Sequence, residues 1–302
     1  VKRPFILGDI RRGGLFAIAA AALFGASTPA AKVVVGDVPP LMLAGLLYLG
    51  SGVGLTLFRL ASGRVRLPFS RRDTPWLVVA VLFGGVVGPA LLMLGLTTVT
   101  GSAASLLLTL EGVFTALIAW IVFREPFNGR VGLGMVAIVA GAVLLALHGG
   151  SGRAALGGAL AVVGACLCWA IDNNCTSRIA EADAAALASV KGLVAGVVNV
   201  SLALVAGAAL PSLGNAALSA LIGLLGYGIS LVLFVLALRE VGAARSGAYF
   251  STAPFLGALL SILLLRDSWG VPTVGAGALM ALGVWLHLTE QSPEDTVKSS
   301  AT

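Results

Sequence analysis

Three ionisable residues stand deep within long apolar runs of this 302-residue chain: Glu111, Asp172 and Lys191. A charge at the centre of a membrane-spanning helix costs on the order of 2.5–3.5 kcal/mol. Such residues are kept where they pair, carry a proton or meet a polar solute. Asp172 lies about six residues, roughly 9 Å, inside the Arg178 end of one run, and Lys191 about seven residues, roughly 10 Å, inside the near end of the next. Consecutive runs joined by a short loop pack side by side, so the two charges are expected to meet at one depth. Asn173 and Asn174 adjoin Asp172. Asn199 stands two turns beyond Lys191, within about 80° of it around the helix. With Tyr48 and Trp169 as aromatic walls, this set offers a zwitterionic or polar metabolite an anion, a cation and several amides. Read the other way, it is a static ion pair that clamps two helices and touches no solute. In both readings the charges come together, since removing one strands the other.

Glu111 falls near the middle of a different run, with Leu107, Leu108 and Phe114 as helical neighbours and Thr115 as the polar group beside it. A carboxyl so placed suits proton carrying, as does Asp172. The alternative for Glu111 is a neutral, hydrogen-bonded packing residue. Lys32 lies about three residues from the end of the first run, where it can snorkel or pair with Asp37. Pro29, Pro89 and Pro254 fall inside runs and predict kinks or cavity-lining breaks. Cys166, Cys168 and Cys175 share one run, and the first two point to different helix faces, which argues against a disulfide and against a metal site.

The elements that must position these residues follow from composition. Apolar residues make up 58% of the chain and charged ones 11%, against about 25% charged in soluble proteins. That excludes a water-soluble domain of this size. The 40 glycines suit helices packed backbone to backbone in lipid. A hydrocarbon core about 30 Å thick calls for ~20 apolar residues of helix. Ten such runs occur, at 14–35, 39–59, 75–97, 101–123, 130–147, 155–178, 184–207, 214–238, 243–265 and 270–288. They are continuously apolar rather than alternating, so helices are expected and a β-barrel is not. The expected fold is an all-α integral membrane protein with ten transmembrane helices. Lys2, Arg3, Arg11 and Arg12 before the first run mimic a signal peptide, but nine further runs make it a retained span.

The basic residues orient the bundle. With the N-terminus cytoplasmic, that side holds Lys2, Arg3, Arg11, Arg12, Arg59, Arg64, Arg66, Arg71, Arg72, Arg124, Arg130, Arg178, Arg239, Arg245 and Lys298. The opposite side holds Arg153 and Arg266, and Lys32 and Lys191 lie within or near spans. This asymmetry places both termini in the cytoplasm of a cell in whose inner or plasma membrane the chain resides. Residues 289–302 then form a polar cytoplasmic tail. The net charge of +6 reports topology rather than affinity for nucleic acid.

The chain also repeats itself. Residues 22–27 align with 166–171, Gly101-Ser102-Ala103-Ala104-Ser105 matches Gly242-Ala243-Ala244-Arg245-Ser246, and Arg124-Glu125 matches Arg266-Asp267. Two five-helix halves, 1–148 and 152–288, are expected. Five is odd, so the second half enters the membrane from the opposite side, a plan transporters use to open to either face in turn.

The stretch Gly95–Phe114, ending in Phe123-Arg124-Glu125, resembles the signature of the EamA family of the drug/metabolite transporter superfamily, and 237–246 with Ala253-Pro254-Phe255 resembles a second copy. The resemblance covers both halves and implies ten helices and transport of small molecules. Two departures stand out. The family often has Glu-Pro where this chain has Glu111-Gly112, and a basic residue frequent early in its second helix is Leu47 here, its counterpart in the seventh being Lys191.

The expected function is a secondary transporter that exports small amino-acid-like or amphipathic metabolites by alternating access, with a central site between the halves. No P-loop is present, so a gradient drives any active transport. No cofactor or metal is implied; a homodimer and coupling to an ion or proton are compatible with the plan. A non-transporting receptor or assembly protein is the alternative. An intramembrane enzyme is not expected, because His148 and His287 fall at opposite faces and no nucleophile–base pair is apparent.

Overall fold

The computed structural model describes residues 7–64, 69–125, 129–148, 153–179 and 183–288, with side chains from residue 12 onward except at 148, 238–239 and 242–244. The tail expected at 289–302 lies outside the described residues. Helices make up the described chain, with no strand among them. Ten are long and apolar enough to cross a membrane: α1 (Arg12–Val34), α2 (Pro40–Ala61), α3 (Thr74–Leu96), α4 (Gly101–Ile121), α5 (Gly129–Leu147), α6 (Arg153–Ser177), α7 (Ala184–Val205), α8 (Leu213–Ala237), α9 (Arg245–Leu265) and α10 (Val271–Leu288). Every end falls within two residues of where hydropathy predicts it.

The helical stretch Ser230–Phe250 includes the junction of α8 and α9. On a straight helix Phe234 and Phe250 would stand about 24 Å apart. Their ring centroids lie 4.7 Å apart, so the chain reverses between them. The reversal keeps α8 and α9 as two spans.

Four spans depart from regular α-helix. α3 widens into a π-helical segment at Val81–Val87, and α8 does so at Leu224–Ile229. α4 breaks between Leu107 and Leu110, and α9 breaks at Ser251–Thr252. Pro89 and Pro254 each follow one of these irregularities, at the start of the helix that resumes. Proline lacks the N–H that would continue the ladder, which is why the backbone changes register there.

The helices pair in a regular way. α2 packs on α7, α4 on α9 and α5 on α10; α1 packs on α8 and α9, and α6 on α3 and α4; α2 also meets α8, and α3 meets α7. Each pairing maps onto another when every span is exchanged with the one five later. Glycines set the closest crossings. A Cβ built on Gly192 would lie 2.6 Å from the Gly52 backbone, so α2 and α7 touch main chain to main chain. In lipid, where apolar side chains gain nothing by leaving solvent, such close packing is what holds helices together. The outer faces carry exposed Leu57, Ile121, Leu147 and Leu263, as lipid contact requires.

Candidate functional site

The polar centre begins with a backbone defect in α3. At its π-helical segment the Gly88 N–H donates to the Phe83 carbonyl, five residues back. In that register the Gly84 carbonyl would look to residue 89, which is proline and has no N–H. Side chains take its place. Tyr48 Oη of α2 donates to the Gly84 carbonyl at 2.6 Å, and Trp169 Nε1 of α6 donates to the same oxygen at 3.0 Å. Asn199 Nδ2 of α7 lies 3.3 Å from both the Gly85 and Val86 carbonyls. A buried carbonyl without a partner is costly in lipid, so three helices are drawn to this one turn.

The expected meeting of charges occurs beside it. Lys191 Nζ pairs with Asp172 Oδ2, and Thr176 Oγ1 donates to Asp172 Oδ1 at 3.0 Å. Asp172 is 3% exposed. A Cβ built on Gly84 would overlap its carboxylate, so the glycine makes room for the acid. Asp172, Lys191, Asn199, Tyr48 and Trp169 thus form one cluster around α3.

Asn173 and Asn174 turn away from that cluster toward α4. Asn173 Nδ2 donates to Glu111 Oε1 at 2.8 Å. Asn174 Nδ2 reaches the Thr115 carbonyl at 3.1 Å and its own helix at Ala170, 2.9 Å. Glu111 itself sits at the start of the helix that resumes after the α4 break. Its partner Asn173 is one residue along α6 from Asp172, about 100° around that helix.

Beside Glu111 is a cavity of about 240 Å³, bounded by α1, α4, α5, α9 and α10. It runs from the α4 break, with Leu108, Thr109, Glu111 and Gly112, to His287 and Leu288 at the end of α10; Phe24, Phe250, Ser251 and Pro254 form its other walls. Thr109 and Ser251 come from the breaks in α4 and α9, so both interruptions face one space. Neither Asp172 nor Lys191 lines it. Of the candidate binding and coupling residues Glu111 reaches the cavity, and Pro254, expected at a cavity-lining break, lines it too; Phe24, Thr109, Phe250 and Ser251 were not read as site residues. The signal for them was a hydroxyl residue at each helix break with Pro254 behind one of them.

One further expectation changes, and one repeated motif gains a structural role. Lys32 does not pair with Asp37: its ammonium bonds to the carbonyls of Leu96 and Val99, 2.8 Å for the latter. Those groups end α3, where helical carbonyls lack partners and the dipole is negative. The Arg124 and Arg266 positions, equivalent in the two motif copies, have φ of 57° and 56°. Both are left-handed residues that stop a helix. Asp267 then accepts from the Ser102 N–H at 2.8 Å, capping α4. This part of the motif shapes chain reversals.

The family model of the EamA-like transporters matches residues 11–147 and again 156–289. The chain belongs to the EamA-like transporter family. It is a multi-pass membrane transporter. An uncharacterized transporter of Methanothermobacter thermautotrophicus is 27% identical over 293 residues, covering 91% of this chain and 85% of that one. A solved crystal structure superposes with a TM-score of 0.67 over 91% of this chain and 96% of the other, at 20% identity, which speaks for the shared fold. Within this family the chain's Glu111-Gly112 leaves the position after the acid exposed beside the cavity. Leu47, the departure in α2, is fully buried against the Gly223 backbone of α8.

Proposed function

We propose that this transporter moves a small metabolite by alternating access of two inverted five-helix halves, 1–148 and 152–288, with the substrate held in the Glu111 cavity. The observation that carries the reading is that cavity: about 240 Å³, walled by α1, α4 and α5 of one half and α9 and α10 of the other, with a carboxyl at its inner end. The exchange symmetry of the helix pairings supports the inverted halves. Paired breaks in α4 and α9 supply hinges at equivalent depth, and paired π segments in α3 and α8 supply a second set. The arginine-rich end, where His287 and Leu288 lie, is cytoplasmic, as are both termini. The substrate is then taken up from inside and exported across the inner or plasma membrane. Glu111 is also the carboxyl that a coupling proton would occupy. In this reading Asp172, Lys191, Asn199, Tyr48 and Trp169 hold α2, α6 and α7 to α3 and set the geometry against which Glu111 works.

Ser251→Cys tests this directly, because the native Cys166, Cys168 and Cys175 are buried. In inside-out vesicles a membrane-impermeant maleimide should label the new thiol rapidly. In right-side-out vesicles labelling should be slower but complete, as the cavity visits the other face. Labelling that never proceeds from the outer face would overturn alternating access; rapid labelling from that face alone would reverse the assigned orientation.

A further inference from the structure

Resting on the reading of the cavity as the substrate site, we infer that its ligand is a small amphipathic organic amine, cationic and without a carboxylate. The cavity's charge is one-sided. Glu111 lines it, and among the described residues no Lys or Arg does. Lys191 is already bound to Asp172 and stands outside the lining. Asn173 engages one Glu111 oxygen, at 2.8 Å. The second oxygen has no partner in the described structure and is not among the sealed polar atoms, so it is presented to the space.

The remaining polar groups repeat the preference. Thr109 Oγ1 donates its proton to the Leu106 carbonyl at 2.8 Å, and Ser251 Oγ donates to the Ala248 carbonyl at 2.7 Å. Each hydroxyl therefore offers lone pairs to the cavity and no proton. His287 Nε2 lies 3.0 Å from the Val131 carbonyl and faces that acceptor. Glu111, Thr109 and Ser251 thus accept hydrogen bonds from a cation, and neither Lys nor Arg among the described residues lines the cavity to meet an anion. A ligand carboxylate would be buried beside Glu111 without a counter-charge, the costly arrangement for any ion out of water.

The rest of the surface suits an apolar body. Phe24 and Phe250 stand with ring centroids 5.3 Å apart, tilted by 40°. Aromatic faces attract ammonium groups and pack against apolar ones. At about 240 Å³ the space is smaller than the ~300 Å³ at which drug-sized pockets begin. A single arylalkyl or alkyl amine fits; an α-amino acid adds a carboxylate that the cavity cannot match. This separates the ligand from the amino-acid-like class expected on sequence.

Three matched probes decide it: 2-phenylethylamine, phenylalanine and phenylacetate, compared by thermal stabilisation of the full chain in detergent. The amine should stabilise at concentrations at least about tenfold below phenylalanine, and phenylacetate should not stabilise. Glu111→Gln should weaken the amine response about ten- to hundredfold, the span a charged hydrogen bond carries, and Glu111→Asp should retain most of it. Phe250→Leu keeps the apolar volume and should weaken the amine severalfold, which serves if Glu111→Gln does not fold. Equal responses to amine and amino acid, an amine response unchanged in these variants, or no response to amine overturn the inference. Counterflow in proteoliposomes separates it from the transport reading. Amine binding without flux keeps the ligand class and removes transport through this cavity, whereas phenylalanine flux with no amine response keeps transport and overturns the class.

Discussion

The Asp172–Lys191 cluster and Glu111 at its cavity bond to adjacent residues of α6, Asp172 and Asn173, yet they differ in what is left to bind. In the cluster most groups are spent, with the buried Asn199 Oδ1 an exception. Asp172 uses one oxygen on Lys191 and the other on Thr176, and the Gly84 carbonyl takes donors from both Tyr48 and Trp169. Around Glu111 one carboxylate oxygen is engaged and the other faces open space. The cluster is rich in polar residues because a π-helical turn and a proline freed carbonyls that had to be satisfied. The cavity is poor in them, and in the proposed reading the second Glu111 oxygen is the group it offers a solute. Polar density marks where helices must be held, and an underused polar group beside a void marks where a solute can go.

The comparison breaks most severely if the cluster is crowded. Gly84→Leu would drive a side chain into the Asp172 carboxylate and part α3 from α6. Overpacking of this kind on a buried ion pair should abolish folded protein, read as loss of the monodisperse peak in detergent. Asp172→Ala should rank next. It strands Lys191 among packed helices, and breaking a buried pair costs about 3–5 kcal/mol. The double variant Asp172→Leu with Lys191→Met should recover most of that loss in thermal unfolding, because no charge is left alone. A double variant as unstable as Asp172→Ala would mean that the pair itself, and not the stranded charge, sustains the fold.

Trp169→Phe should have a smaller effect. It removes one of two donors to the Gly84 carbonyl while Tyr48 keeps the other, so a loss of about 1 kcal/mol is expected. Tyr48→Phe should match it, and the pair together should lose more than the sum, since the carbonyl is then orphaned. Simple additivity in that double-mutant cycle would show that water or another donor reaches Gly84.

Much of this architecture is legible in the residues. Ten apolar runs fix ten spans because a bilayer admits few other solutions, and the meeting of Asp172 with Lys191 follows from equal depth on adjacent helices. What escaped was set by backbone register. Nothing in helical periodicity announces that Gly88 donates five residues back, so Tyr48 and Trp169 read as cavity walls when they are partners of one carbonyl. Lys32 was misassigned for a related reason: the end of α3 lies 64 residues away in sequence, and only packing brings its carbonyls to the ammonium. The cavity itself is assembled from five helices. Its residues, Phe24, Thr109, Ser251 and His287, are ordinary in type and become a site through juxtaposition.

Glu111→Gln carries the smallest expected effect on stability and for that reason sharpens the contrast most. Glutamine keeps an oxygen to accept the Asn173 amide, so the link between α4 and α6 survives and unfolding should shift by less than about 1 kcal/mol. What changes is the charge facing the cavity. If the acid is there to bind, ligand response and flux should collapse in a protein that unfolds almost as the parent does. If instead Glu111→Gln unfolds as readily as Asp172→Ala, the carboxylate is one more brace between helices. The two regions would then do the same work, and the void beside Glu111 would be only a gap in the packing.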